Sequence, residues 1–192
     1  QDFGYGLLDQ SVAFNGLGIG AEYLTYRSSA AYIARPPVLI VGANDGMLHG
    51  FDANLTGTGG DELFAFIPNS VFDNLYELTL PAYSHRFYVD GAPRVADAYF
   101  SSAWHSVAVG ATGAGGKSVF ALDVSNPTTM TTSDVMWEFS HPDLGYTIGQ
   151  PAITLTQQTI GLFQQTRAPQ VGESVLAFAD SYQRTTTQYL SQ

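Results

Sequence analysis

The four histidines are the side chains of this 192-residue chain best suited to proton transfer or metal binding. They are His49, His85, His105 and His141, and none lies within four positions of another. A zinc site would therefore need ligands that converge from different strands. The sequence also has no cysteine and no Gly-x-Ser-x-Gly nucleophile motif. We interpret the histidines as strand-face or loop residues and predict no catalytic and no metal-binding residue.

A glycine-rich stretch, Gly113-Ala114-Gly115-Gly116-Lys117-Ser118, is similar to the end of a phosphate-binding loop. The full pattern needs glycine at position 111, where the chain has Ala111. A phosphate loop also needs a helix after it, whereas residues 119–122 are typical of a strand. We predict a flexible hairpin tip here and no cofactor-binding residue.

Two kinds of acidic residue lie next to predicted turns. Asp45, in Asn44-Asp45-Gly46, has the oxygen ligands that calcium prefers, but it is the only carboxylate of its loop. We interpret this tripeptide as a turn that tolerates positive φ. Asp52 and Asp123 end equivalent predicted strands, so we expect both to bond the backbone of the following turn.

Composition limits the possible partners. The chain carries 7 Lys and Arg against 17 Asp and Glu, a formal net charge of -10, which argues against binding nucleic acid or anionic membranes. No apolar run is long enough for a transmembrane helix. The chain begins with Gln1 and shows no signal peptide, so we expect a fragment or a mature form.

The elements that position these residues are two similar hairpins. Residues 38–53 run from an apolar stretch through Asn44-Asp45-Gly46 into a second stretch that ends at Asp52. Residues 106–123 repeat the plan, with Val-Gly-Ala before a glycine-rich turn and Asp123 at the end. Such a repeat predicts stacked sheets or propeller blades.

We predict an all-β chain, namely a partial β-propeller of antiparallel four-stranded blades with short connecting helices. Trp137 and Phe64 fall at matching outer-strand positions, and this resembles quinoprotein-like propellers, in which such aromatic side chains dock one blade on the next. Residues 1–155 form the propeller fragment. Its first blade covers about 38–67, its second about 86–140, and its third begins at about 149. Within the second blade, a short strand and turn are predicted at 86–91, and four strands follow from Pro93 onwards. Residues 156–192 form an atypical tail rich in Gln and Thr that we assign either to a third blade, with 174–179 as its second strand, or to a region outside the repeat.

The remaining segments are less patterned. Residues 21–34 have the composition of a short helix that stops before Arg35-Pro36-Pro37, and we interpret residues 1–37 as a surface connector. Residues 69–78 predict a short helix capped by Asn69 or Ser70.

Together these motifs make the chain resemble the PilY/PilC-type type IV pilus assembly factors and tip adhesins, in their C-terminal β-propeller region. The resemblance covers roughly residues 38–153. It rests on seven motifs in order: Val41-Gly42-Ala43-Asn44-Asp45-Gly46-Met47-Leu48-His49-Gly50-Phe51-Asp52-Ala53, Glu62-Leu63-Phe64-Ala65-Phe66-Ile67-Pro68, Tyr88-Val89-Asp90-Gly91-Ala92-Pro93, Val109-Gly110-Ala111 with residues 113–117, Ala121-Leu122-Asp123-Val124, Trp137-Glu138-Phe139, and residues 143–151.

The resemblance implies a non-catalytic protein of the bacterial cell surface or pilus tip that supports pilus biogenesis and adhesion. The localisation it implies is extracellular and pilus-associated, in a Gram-negative-type bacterium. Its partners would be other pilus components, further chain segments that complete the propeller, or a host surface. Members of this family bind calcium through an Asp-rich loop in a later blade, and no such loop is matched here.

Two other functions stay open, a quinoprotein-like dehydrogenase propeller and an outer-membrane assembly scaffold. A dehydrogenase would show cofactor absorbance and dye-linked oxidation when purified. Because a blade takes about 40–50 residues and a ring at least about four blades, we expect open sheet edges, covered by further sequence or by another chain.

Overall fold

The computed structural model describes residues 19–101, 103–155, 174–179 and 185–189, and its strands form three antiparallel sheets. The first sheet contains β1 (Val38–Gly42), β2 (Leu48–Asp52) and β3 (Glu62–Phe66). The second contains β4 (Arg94–Phe100), β5 (Ala103–Ala111), β6 (Ser118–Asp123) and β7 (Val135–Ser140). The third contains β8 (Ala152–Leu155), β9 (Ser174–Ala179) and β10 (Thr185–Tyr189).

In each sheet the strands lie in sequence order, so each sheet is a meander, and the prediction of an all-β chain of antiparallel sheets is confirmed. The second sheet has the four strands expected of one blade. The three helices are short: α1 (Ile19–Ser28), α2 (Ala30–Ile33) and α3 (Asn69–Phe72). Single 3₁₀ turns cover Leu75–Thr79, Pro127–Thr129 and Thr132–Asp134. No helix in the described part of the chain is long and apolar enough to cross a membrane.

Both predicted hairpins are present. β1 pairs with β2 up to the partners Gly42 and Leu48, and the Asn44–Gly46 corner turns between them. Gly46 has a φ of +99°, a conformation that a side chain would strain, which explains the glycine at this position. In the second hairpin, β5 pairs with β6 from Val107 to Ala111.

The second sheet is buried on both faces, which explains its unbroken apolar runs. Successive residues of a strand point to opposite faces, and the side chains of β5 and β6 divide accordingly between two hydrophobic cores. One core holds Val107, Val109, Ala111, Val119 and Ala121, and the other holds Ala108, Phe120 and Leu122.

These two cores join the sheets in a stack. The core around Phe120 includes Leu48 and Phe64 of the first sheet, and the core around Val109 takes Ile153 of the third sheet. The first strands of the second and third sheets, β4 and β8, lie against each other. Neighbouring sheets that pack face to face, with first strands adjacent, have the arrangement of propeller blades.

Two local predictions are wrong. Residues 86–91 form bends and loop instead of a strand, because Tyr88 and Val89 bond the first hairpin's turn and leave no strand partner in register. In α3 the capping position is Pro68, with no side-chain cap, so neither Asn69 nor Ser70 caps the helix. α3 ends at Phe72 with Asp73 as its C-cap, and a separate 3₁₀ turn follows at Leu75–Thr79.

The interpretation of residues 1–37 as a surface connector also needs correction. Residues 1–18 lie outside the described residues, but the helices after them pack onto the second sheet. Tyr23 of α1 is fully buried against Trp104 of β5, with ring centroids 4.6 Å apart. A fully buried aromatic side chain is a core element, so these helices belong to the domain.

In the tail, β9 pairs with β8 in the register Ala152 with Ala177, and β10 pairs with β9. Residues 174–179 thus form the second strand of the third sheet. The Gln-rich stretch 156–173 lies outside the described residues.

Candidate functional site

The turn of the first hairpin is fixed by bonds from its own polar side chains. Asp45 Oδ1 accepts a hydrogen bond from the backbone N–H of Met47 at 3.0 Å, and Asn44 Oδ1 accepts one from the N–H of Tyr88 at 3.1 Å. The predicted turn at Asn44-Asp45-Gly46 is therefore confirmed. The hydrogen bond to Asn44 also holds the 88–89 segment against this turn.

His49 lies between two carboxylates. Its Nδ1 is 2.5 Å from Glu62 Oε1 on β3, and its Nε2 is 2.9 Å from Asp45 Oδ2 in the turn. The hydrogen bond to Glu62 raises the pKa of His49 above 6.5, burial opposes this, and Asp45 raises it further. The imidazolium form is favoured because only that form donates from both nitrogens. His49 thus ties the turn to the third strand of its sheet.

Asp52 and Asp123 each bond the backbone of the turn that follows them, as their positions at the ends of strands predict. Asp52 Oδ1 accepts from the N–H of Asn54 at 2.8 Å, and Asp123 Oδ1 accepts from the N–H of Ser125 at 2.9 Å. The hydroxyl of Thr58 donates to Asp52 Oδ2 at 2.6 Å, and this bond is the main cause of the lowered pKa of Asp52.

The pKa of Asp123 is lowered although burial opposes ionisation. The hydrogen bonds from His105, 2.7 Å away, and from Ser125 outweigh that burial. Both aspartates are structural residues of turns, as we predicted from their parallel placement.

A buried carboxylate that sequence reasoning missed lies in the middle of β4. Asp97 is 1 % exposed. The hydroxyl of Tyr23 donates to Asp97 Oδ2 at 2.9 Å, that of Tyr32 lies 3.5 Å from the same oxygen, and that of Ser106 donates to Oδ1 at 2.5 Å. A buried carboxylate requires such donors, and the helices supply two of them. The available signal was a charged residue between two alanines, in a stretch from Val95 to Phe100 that otherwise consists of apolar and aromatic residues.

Arg35 supplies the positive charge of this cluster. Its Nη1 donates to Ser106 Oγ at 2.8 Å, so the guanidinium reaches Asp97 through one hydroxyl. The guanidinium carbon lies 3.7 Å from the ring centroid of Tyr32, a cation–π contact. Burial is the main cause that raises the pKa of Tyr32 and of Tyr26, and the charge of Asp97 raises both further.

A cleft of about 490 Å³ opens beside this cluster, between α2, β1 and β4. Its polar wall holds Arg35, Asp97 and Ser106, and its other walls are apolar. The lining residues are Tyr32, Arg35, Pro36, Pro37, Val38, Ile40, Val95, Asp97, Ser106, Val124 and Pro127. This mixture of an apolar groove and a few convergent polar groups is typical of a binding site, and it is the strongest candidate within the described residues.

Among the described residues that line the cleft there is no histidine and no cysteine. The hydroxyl of Ser106 is bound to the Asp97 carboxylate instead of an imidazole. His105 precedes Ser106 on β5, so its side chain points to the other face of the sheet. There it is hydrogen-bonded to Asp123. The cluster is suited to binding and to holding the helices in place.

The glycine-rich turn at residues 113–117 is packed rather than free, which corrects the prediction of a flexible hairpin tip. A Cβ on Gly115 would lie 2.0 Å from the carbonyl oxygen of Tyr88, and one on Gly113 would lie 2.6 Å from the N of Gly91. Ser118 begins β6, a strand, so the structure lacks the helix of a phosphate loop at this position.

His85 and His141 lie on the exposed surface, far in sequence from the other two histidines. Among the residues whose side chains are described, no group of three or more His, Asp or Glu is arranged to hold a metal ion.

The stacked meanders define the class of protein as a β-propeller. Residues 12–166 match the family model of the PilY1 beta-propeller domain, and the chain belongs to this family. Two curated relatives illustrate the match. The type IV pilus biogenesis factor PilY1 of Pseudomonas aeruginosa is 46 % identical over 151 residues, which cover 69 % of this chain and 12 % of that protein. A PilY1 homolog of Xylella fastidiosa is 49 % identical over 122 residues, which cover 62 % of this chain and 8 % of that protein.

A solved structure agrees. The crystal structure of the Pseudomonas aeruginosa PilY1 C-terminal domain matches with a TM-score of 0.59 and 35 % identity, over 87 % of this chain and 29 % of that chain. The family resemblance drawn from the motifs is therefore confirmed. The chain spans 12 % of the length of the Pseudomonas relative and 29 % of the solved domain.

Proposed function

We propose that this chain is part of the propeller of a protein that supports type IV pilus biogenesis and adhesion, located at the bacterial cell surface or on the pilus. The observation that carries the proposal is the match of residues 12–166 to the PilY1 propeller family, together with relatives that are named pilus biogenesis factors. Its partners would be other pilus components and the further segments of its own propeller.

We infer a non-catalytic role for these residues. Ser106 in the wall of the cleft is bonded to Asp97, and the neighbouring His105, on the other face of the sheet, is bonded to Asp123. Proton transfer to a substrate would require one of these groups to be released from a partner that it holds. A propeller that binds and positions other proteins needs no such release.

The test is deletion of the gene in its own organism, followed by complementation. Surface pili, measured by shearing and immunoblotting, are expected to fall at least about tenfold and to recover with the wild-type gene. Adhesion to an abiotic surface, normalised to pilus number, tests the adhesive role separately. Unchanged pilus number after deletion would remove the proposed role in biogenesis, and unchanged normalised adhesion would remove the role in adhesion.

A purified sample addresses the enzymatic alternative. We expect no absorbance beyond that of aromatic residues and no dye-linked oxidation of alcohols or sugars. A cofactor band together with substrate-dependent dye reduction would contradict the non-catalytic assignment.

A further inference from the structure

The loop between β2 and β3 carries a motif that the proposed function does not use. Asn54-Leu55-Thr56 is an Asn-x-Ser/Thr sequence, the acceptor pattern for a sugar attached to an asparagine side chain, in which the middle residue is not proline. One other asparagine, Asn126, has a threonine two positions later, but Pro127 lies between them. Such a short pattern also arises by chance, so its place in the structure decides whether a transferase can reach it.

The structure places the motif on an exposed loop. Every residue from position 53 to position 62 is exposed, and Leu55 is 100 % exposed. A Cβ added to Gly57 or to Gly60 would have no atom within 4 Å, so open space surrounds the loop. An enzyme that recognises Asn54 and Thr56 together therefore finds the surface loop that this pattern requires.

The base of the loop is fixed, whereas its tip projects. The N–H of Gly60 donates to the carbonyl of Asp52 at 2.8 Å, and Thr58 Oγ1 donates to Asp52 Oδ2 at 2.6 Å, so the loop closes at Asp52. The side-chain amide of Asn54 donates to Asp52 Oδ1 at 2.7 Å. A rotation about the side-chain torsions of Asn54 releases this amide and leaves the base of the loop intact.

The position of the loop in the blade keeps it accessible where neighbouring blades are present. The loop joins the last two strands of the first sheet, and in a propeller these strands lie farthest from the central channel. The corresponding loop of the second sheet joins β6 to β7, and that sheet packs against another sheet on each face. Its residues Asn126, Thr128 and Thr129 are nevertheless exposed. Flanking sheets therefore leave a loop at this place open to solvent.

We propose that Asn54 is the acceptor of an N-linked glycan, donated by a sugar with a diphosphate leaving group at its anomeric carbon. Asn54 Nδ2 forms a bond to the anomeric carbon, the bond from that carbon to the diphosphate oxygen breaks, and one proton passes from Nδ2 to a base of the transferase. Nothing is oxidised or reduced. The product keeps one N–H on Nδ2, which can still donate to Asp52.

This inference rests on the proposed location at the cell surface, because the pattern is used in secreted proteins. A glycan is bulky and hydrophilic, so at Asn54 it would cover the exposed Leu55 and the glycine-rich tip of the loop.

Peptide mass spectrometry of the full-length protein, purified from the surface of its own organism, tests the proposal. We expect most copies of the peptide that contains Asn54 to carry the mass of one or more sugars, which fragmentation locates on Asn54. Asn126, in the corresponding loop, is the matched control and should be unmodified because of Pro127. A single sugar would indicate transfer of one unit and a longer glycan transfer of a preassembled chain, and both support the site.

Two variants of the threonine test the motif itself. Thr56→Ala is expected to abolish the sugar mass on Asn54, since it removes the hydroxyl that the pattern requires, whereas Thr56→Ser is expected to keep it. Position 56 is exposed, so both variants should fold like the wild type. A glycan that persists in Thr56→Ala, or sugar found on hydroxyl groups of the loop instead of on Asn54, would overturn the proposal.

The outcomes separate this proposal from the proposed function. Unmodified Asn54 in protein recovered from the cell surface would overturn the glycan site alone, and the pilus number after gene deletion would still test the role in biogenesis. Protein recovered only from the cytoplasm would overturn the proposed location and the glycan site together.

Discussion

At the level of single residues, the carboxylates are the most informative groups of this molecule. Asp45, Asp52 and Asp123 bond turns or histidines close in sequence, whereas Asp97 collects donors from two helices and a neighbouring strand. The first three have partners within twenty positions. The partners of Asp97 include Tyr23, 74 positions away, so this carboxylate fixes a long-range contact.

Asp97→Ala is expected to destabilise the protein by about 3 kcal/mol, because it leaves the buried hydroxyls of Tyr23 and Ser106 without their acceptor. Tyr23→Phe removes one of these bonds and is expected to cost about 1.5 kcal/mol. Urea unfolding followed by tryptophan fluorescence measures both, since Trp104 packs on Tyr23. Asp143→Ala is the matched control on an exposed carboxylate and should stay within about 0.5 kcal/mol of wild type. Equal effects at positions 97 and 143 would show that the buried cluster does not hold the helices.

His49 makes stability depend on pH. Its pKa is raised in the folded protein, so the folded state binds this proton more tightly than the unfolded state does. The stabilisation is complete below the unfolded pKa of about 6.5 and is lost as the pH rises through the higher folded value. The stability difference between wild type and His49→Gln should therefore shrink as the pH rises from about 6.5 through the higher folded pKa of His49.

NMR titration of the His49 ring measures the pKa directly, and Glu62→Gln is expected to lower it, because the hydrogen bond to Glu62 is its main cause. A His49 pKa at or below 6.5 in the folded protein would contradict the role of the two carboxylates.

At the level of elements, the hairpins are braced by the loop that precedes β4. Tyr88 and Val89 bond the turn of the first hairpin, and Asp90 donates its N–H to Thr112 at the turn of the second, at 3.2 Å. One short segment thus fastens two hairpins of neighbouring sheets. This explains why residues 86–91 form no strand, because their backbone groups bond two separate turns.

Gly115→Ala tests this brace. The new Cβ would meet the backbone oxygen of Tyr88 at 2.0 Å, and backbone atoms cannot move aside as a side chain can. We expect a loss of about 2–3 kcal/mol in the free energy of unfolding. Gly116→Ala, in the same turn, would meet side-chain atoms of Thr112, with the hydroxyl at 3.0 Å and the Cβ at 3.3 Å, and should cost less than about 1 kcal/mol. Urea unfolding of the two variants compares them, and a Gly115 variant as stable as the Gly116 variant would rule out tight packing of the turn on this segment.

At the level of the whole molecule, the described strands form a stack of three sheets with three, four and three strands. In the first sheet, β1 corresponds to β5 of the second sheet, because a Val-Gly-Ala sequence lies at the end of both strands. β5 has β4 on its other edge, whereas the described strands provide β1 with a partner on one edge alone. The cleft beside Asp97 has Val38 and Ile40 of β1 in its wall. We therefore expect the edge to be covered in the complete propeller, as exposed edges are in folded proteins.

Local patterns in the sequence determined the strands, the hairpins and the family. Apolar runs and turn residues act over a few positions, so the end of β2 at Asp52, the end of β6 at Asp123 and the Asn44–Gly46 turn could be predicted. The order of seven short motifs was also visible without coordinates.

The tertiary structure alone decided which distant residues meet. The burial of Tyr23, the donors around Asp97 and the bracing by residues 88–90 all depend on contacts between segments far apart in sequence. A single sequence carries no signal for such contacts, because neither hydrophobic period nor turn chemistry specifies a partner dozens of positions away.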